Sequence, residues 1–244
     1  MLRHFLQPKW IAATVVVIVI ASLFIVLGFW QLNRLNQRTT ENAVGEERLD
    51  EPPADLDDLL VQADGDLSAI EYRRAIATGT FDIEGEVLVR SQVYLGTAGF
   101  NVVTPLIKED GSAVLVNRGW VPLNMDTVPV EGAAPVPIAG TVNGWIELSQ
   151  SRPPLGPKDP EGGRLVSVSR IDISRIQPQV AYPLAPVYLV LENPTTGELP
   201  VPLAVPRFDD DGPHLAYAIQ WFGFAMVLLG GYFFFARKQL RSSV

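Results

Sequence analysis

The sequence predicts a membrane α+β protein: two terminal transmembrane helices flanking an extracytoplasmic antiparallel, barrel-like β domain. Three observations carry this. Residues 10–30 and 215–236 are apolar runs of 21 and 22 residues without a charged side chain, and at ~1.5 Å per residue each spans the ~30 Å of a bilayer core. The ends beyond those runs carry Arg3, Lys9, Arg237, Lys238 and Arg241 and no acid, whereas residues 31–213 hold 14 basic and 27 acidic side chains, a net of −13 within a chain total of −8. From Arg73 onward, short β-branched runs are broken by Gly and Pro, the pattern of an antiparallel sheet or barrel.

The charge asymmetry sets the orientation. Short basic ends stay on the cytoplasmic side, so both termini are inside and the acidic middle is outside. In a bacterium this is a multi-pass protein of the cell (inner) membrane. The basic lead and apolar run also suit a signal peptide, but the run exceeds the ~7–15 residues of a signal core and no A-x-A-like site follows before Gln31, so an uncleaved anchor is expected. The resulting division is a cytoplasmic N-terminus 1–9, transmembrane helix 10–30, a helical extension with acidic connector 31–72, a β-rich domain 73–213, transmembrane helix 214–236 and a cytoplasmic C-terminus 237–244.

Composition excludes several functions. The 244 residues are 48% hydrophobic with a mean hydropathy of +0.19, more than a soluble protein of this acidity needs. There is no cysteine, which removes disulfides, thiol nucleophiles and copper carriage through a Cys pair. The acidic middle argues against nucleic acid, which attracts basic patches. His214 is the one histidine of that half, too few for a His-rich zinc site. No G-x-S-x-G elbow accompanies it, so a non-enzymatic role is expected.

Taken in order, the first helix should continue beyond the membrane, because 31–49 are good helix formers with Leu32 and Leu35 on one side. The acidic, Pro52-Pro53-containing stretch 41–66 reads as a connector with a short helix at 55–60. Candidate strands are 73–82, 86–94, 100–108, 113–121, 139–148, 164–169 and 186–191. Asp110-Gly111 between two apolar runs pairs 100–108 with 113–121 as a hairpin. Residues 151–163, with four prolines and three glycines, form a long exposed loop. Residues 172–177 suit a helical turn and 193–197 a hairpin turn, and Gly212-Pro213 breaks the chain before the last helix. Arg118 beside Trp120 reads as an interior cation–π pair or a partner patch, with structure the favoured role. Gly119 between them marks a bulge or a close backbone approach.

The most distinctive chemistry lies at the start of the second apolar run. His214, Tyr217, Gln220 and Trp221 fall within about 120° of one helical face at ~100° per residue. Polar groups are costly against lipid, so this face needs a partner. A histidine at a membrane helix end is ordinarily an interfacial hydrogen-bonder. Imidazole is also an axial ligand for haem iron, with Tyr217 and Trp221 placed to flank a macrocycle and Gln220 to bond its periphery. Arg34 and Arg38, four apart, read as interfacial anchors or as a cationic grip on an anionic ligand or lipid.

With these residues in place the chain resembles the surfeit locus protein 1 family, membrane assembly factors for haem-copper cytochrome c oxidase. The resemblance rests on residues 28–34, 79–82, 87–90, 102–106, 114–122 and 214–225, in the family's order. It implies a non-enzymatic role in respiratory chain biogenesis, in which haem a is bound as cargo and helped into the oxidase catalytic subunit, with haem a synthase as a further partner. It also implies that His214 corresponds to a histidine concerned with haem a in bacterial members. Trp30, Gln31, Arg34, Tyr217, Gln220 and Trp221 match family motif positions. The alternative function is a haem-free scaffold that recognises oxidase subunits.

Overall fold

The first apolar run and the polar stretch after it form one helix, α1, over Pro8–Asp50. Pro8 suits a first helical turn, whose N–H groups have no partner in any case. Pro52 and Pro53 end the helix, since neither offers an N–H to it. The computed structural model describes residues 8–135, 138–154, 156, 158–160, 162–192 and 199–242. The hairpin turn expected at 193–197 lies outside them.

Residues up to Val44 and from Arg207 make one compact unit, and Gly45–Pro206 makes a second. The first holds most of α1 and the last helix, α4, over His214–Ser242. Both helices are long and apolar enough to cross a membrane.

The second unit begins at the end of α1. The stretch read as a connector is largely ordered, because 41–50 completes α1 and only three residues separate it from strand β1, Ala54–Asp55. Helix α2, Leu56–Ala63, follows, with the Asp55 side chain accepting from Asp57 N at its start. Its apolar spacing buries Leu56, Leu59 and Ala63.

Six strands then build the domain: β2 Arg74–Phe81, β3 Val87–Tyr94, β4 Thr97–Ile107, β5 Ala113–Pro122, β6 Ala139–Leu148 and β8 Leu184–Leu191, with the two-residue β7, Ser167–Val168, between the last two. The expected 100–108/113–121 hairpin is β4–β5, running in register from Gly99↔Pro122 to Ile107↔Ala113 apart from one bulge. A short helix α3, Ile173–Ile176, occupies the turn expected near 172–177. The strand expected at 164–169 shrinks to β7, because Gly162-Gly163 precede it and only Ser167 and Val168 reach the edge of β3.

Strands β2, β6, β8, β5 and β4 close into a ring, with β4 returning to β2 through Thr80↔Ile107 and Phe81↔Leu106. The expected antiparallel, barrel-like domain holds for four of the five pairings in the ring and is corrected at the fifth. A closed ring of five strands cannot alternate direction throughout, and the exception is the parallel β5–β8 pair. Pro186 interrupts that pair, consistent with a residue that offers no N–H to a ladder, and the register slips between Ala113 and Leu115. At the seam, Gly79 is required by space, since a Cβ there would lie 2.2 Å from the Ile107 carbonyl oxygen.

Alternation along the strands places Ala75, Ala77, Phe81, Leu106, Val114 and Leu189 inside the ring, where Leu56 and Leu59 of α2 join them. A second apolar cluster, Leu88, Val102, Val121, Val130 and Ala133, lies under the segment after β5. Arg118 sits in the sequence as a charge on an apolar strand, and it is 3% exposed. It faces Phe81 at 6.0 Å, so the cation–π partner is Phe81 in place of the expected Trp120. Trp120 instead stacks on Tyr94, with centroids 5.4 Å apart. The reason is a bulge: Val102 pairs with Gly119 and Val103 with Asn117, leaving Arg118 as the extra residue and turning its side chain inward. Gly119 has φ +124°, and a Cβ there would meet the Val201 carbonyl oxygen at 2.2 Å, where residues 200–201 strap the strand through Trp120↔Val201.

The outer faces of β6 and β8 place Glu147 opposite Tyr188. Burial pushes the Glu147 carboxyl above the usual carboxylate range; a hydrogen bond from Trp145 opposes this and nearby Glu71 adds to it. An acid whose folded pKa is raised stabilises the fold below its unfolded value, here 4.5, and loses that contribution as pH rises through the folded value. Glu147→Gln will therefore raise the melting temperature at pH 7 and leave it nearly unchanged at about pH 4. Thermal denaturation at the two pH values checks this, and an equal gain at both would reject it.

Candidate functional site

The two apolar helices pack antiparallel, since Trp10 stacks near Phe235 at 6.0 Å and Gln31 meets His214 at the opposite end. Small residues let them approach. Ala21, Ala218 and Ala225 are buried, and a Cβ at Gly28 would fall 2.6 Å from the Phe222 ring. Phe24 packs on Trp221 at 5.6 Å and on Phe224 at 5.8 Å. Thr14 and Tyr232 share a hydroxyl–hydroxyl bond further along.

The polar end of this seam is His214. Its Nδ1 lies 2.8 Å from Gln31 Oε1. With the Gln31 amide oxygen as the acceptor, Nδ1 is the donor, and in the neutral ring the lone pair then falls on Nε2. Gln31 is 9% exposed, a buried polar group whose carbonyl is satisfied by this bond. Nε2 faces Gly212, where a Cβ would stand 3.5 Å away; Gly212 has φ +73° and donates its N–H to Asp210 Oδ1 at 2.8 Å. The preceding chain is held to α1 as well, through Asn42 Nδ2 to Asp211 Oδ1 at 2.9 Å.

Of the residues singled out in the sequence, His214, Gln31 and Trp221 meet at the seam. Tyr217 and Gln220 stand on its flank and are exposed, Tyr217 by 47%. The common face of four thus divides, because the stripe facing α1 runs through His214, Ala218, Trp221 and Ala225. Trp30 is 52% exposed, about 100° round α1 from Gln31. Arg34 donates to Gln37 Oε1 at 3.0 Å, and Arg38 lies 3.9 Å from Glu41 on the helix surface. Arg38 is seven residues from Gln31, hence two turns along the same side.

Sequence reasoning missed Gly28 and Asn42 as contributors. Gly28 was legible: Ala21 and Gly28, like Ala218 and Ala225, are small residues seven apart, the spacing of a helix-packing stripe. Asn42 has no such signal, because its partners lie 168 and 169 residues away.

The SURF1 family model matches residues 18–226, a span that includes Gln31, His214 and the whole β ring. The chain belongs to the SURF1 family. An uncharacterized SURF1-like protein of Mycobacterium bovis is 35% identical over 246 residues, covering 99% of this chain and 88% of that one. A SURF1-like protein of Rickettsia felis is 23% identical over 228 residues, covering 91% and 96%. Surfeit locus protein 1 of Arabidopsis thaliana is 35% identical over 106 residues, covering 39% and 30%. In this SURF1-family chain the Gln31–His214 bond joins residues near the two ends of the matched span.

Proposed function

We propose that this SURF1-family protein is a non-enzymatic assembly factor for haem-copper cytochrome c oxidase that binds haem a as cargo at His214 and assists its delivery to the catalytic subunit. The observation that carries the reading is the Gln31–His214 bond, which orients the imidazole through Nδ1 and, in the neutral ring, directs the Nε2 lone pair toward Gly212. That is the arrangement an iron ligand needs. Haem supplies the iron and the macrocycle; the chain supplies the imidazole, the aromatic flank of Tyr217 and Trp221, and cations at Arg34 and Arg38 for propionates.

The reading places α1 and α4 across a bacterial inner membrane with both ends cytoplasmic. At ~1.5 Å per residue the 43-residue α1 exceeds a ~30 Å core about twofold, so its polar half from Gln31 stands outside the bilayer with the His214 end of α4. Gln31 and His214 then sit at the outer interface, where a cargo with an apolar ring and charged propionates is itself at home.

The test is the visible spectrum of the full-length protein purified in detergent from cells that make haem a. A haem a Soret and α band co-purifying in stoichiometric amount is expected. A protein without those bands that still crosslinks to the oxidase catalytic subunit would replace the cargo reading with the haem-free scaffold.

A further inference from the structure

We propose that the outer wall of the β ring carries a recognition pocket for a lysine or arginine side chain presented by an extended peptide segment. The pocket has no residue in common with the His214 site and a volume of about 300 Å³. Strand alternation turns Asn101 of β4, Asn117 of β5, Tyr188 of β8, and Trp145 and Glu147 of β6 to the same outer face, and residues 203–206 border them. Successive register pairs, Asn117↔Val190, Trp145↔Val190 and Glu147↔Tyr188, fix this row. From β4 to β6 it crosses three strand spacings, roughly 14 Å.

The two ends of the row ask for donors. At one end Asn101 is 6% exposed; its Nδ2 donates to Gln92 Oε1 at 3.3 Å, and its Oδ1 has no partner. A buried acceptor left unpaired costs free energy that an incoming N–H recovers. At the other end stands Glu147, which accepts from Trp145 Nε1 at 3.2 Å. Glu147 is the charged group among the lining residues, which include no lysine or arginine. Its carboxyl is held above the usual range by burial with Glu71 nearby, the environment a bound cation would relieve. Between the ends lie Trp145 and Val190, apolar surface for an aliphatic stem. A cation, a methylene stem and a second donor in line describe a Lys or Arg side chain followed by its own backbone N–H. The net −13 of residues 31–213 favours the approach of such a segment.

The test uses full-length protein in detergent and isothermal titration with acetyl-Ala-Arg-Ala-amide, the same peptide carrying neutral, isosteric citrulline, and agmatine. The arginine peptide should bind at least tenfold tighter than the citrulline peptide. Glu147→Gln, which keeps the Trp145 bond and the fold, should erase that preference, and Asn101→Ala should weaken both peptides alike. Equal binding of the arginine and citrulline peptides, or a preference that survives Glu147→Gln, would overturn the cation site. Agmatine binding as tightly as the arginine peptide would overturn the peptide segment in favour of a free amine. Melting curves of both variants confirm that they are folded when titrated.

Discussion

Arg118→Met will destabilise the Gly45–Pro206 unit by about 3–5 kcal/mol, the effect expected when one partner of a buried ion pair is removed. The magnitude follows from what Arg118 holds. Its Nη2 donates to Glu86 Oε2 at 2.6 Å, its Nε to Thr104 Oγ1 at 2.8 Å and its Nη1 to the Ala133 carbonyl at 2.6 Å. Glu86 is 1% exposed, accepting on its other oxygen from Val130 N at 2.8 Å and on Oε2 from Thr104 as well. Burial works against the guanidinium charge and Glu86 offsets it. Methionine fills much of the volume and strands the Glu86 charge, together with the Ala133 carbonyl. The network sits between the two apolar clusters and ties 130–133 to the ring, so the loss should be cooperative. Chemical unfolding of the full chain in detergent checks this through the midpoint. The Glu86→Leu/Arg118→Met double variant should recover much of the loss, because an apolar pair leaves no charge unpaired. A double variant as unstable as the sum of the two singles would mean that the apolar pair cannot be packed there and that the stranded charge is not the main cause of the loss.

How much of this was legible depends on the range of the interaction. The strands can be read because alternation and Gly/Pro punctuation are local: 139–148 reads as a strand and is β6, and the β4–β5 hairpin follows from Asp110-Gly111. A barrel-like domain can be read, but the strand order that closes it cannot, since that depends on β2 returning to β4 and on β8 entering between β6 and β5 after a long connection. The same limit hides the Arg118–Glu86 pair, 32 residues apart. A charge in an apolar strand signals a buried partner without saying which acid supplies it. Gly119 reads as a bulge or close approach and is both, yet the consequence, an inward Arg118 over Phe81, requires the register. At the candidate site, helical spacing places His214 and Trp221 on one face correctly. Tyr217 and Gln220 share that arc but lie beside the packed stripe, which follows the small residues Ala218 and Ala225.

His214→Ala will abolish haem a retention by the purified protein, and Gln31→Leu will lower it by about 10–100-fold, the range for losing a partner that orients a metal-bound histidine. The two effects separate ligation from orientation. Removing the imidazole removes the nitrogen that would meet iron. Removing the Gln31 amide leaves the imidazole and takes away the acceptor that selects the Nδ1–H tautomer and fixes the ring at the end of α4. Leucine keeps the bulk at a buried helix contact, so α1 and α4 stay packed through Ala21, Gly28 and Phe24. Gln31→Glu provides the counter-test: a carboxylate accepts from Nδ1–H more strongly than an amide, so retention should equal or exceed that of Gln31 while the leucine variant falls. Haem content per protein from the visible spectrum reads all three. Full retention by His214→Ala would exclude His214 as the iron ligand. Equal loss in the leucine and glutamate variants would assign Gln31 a packing role in place of an orienting one.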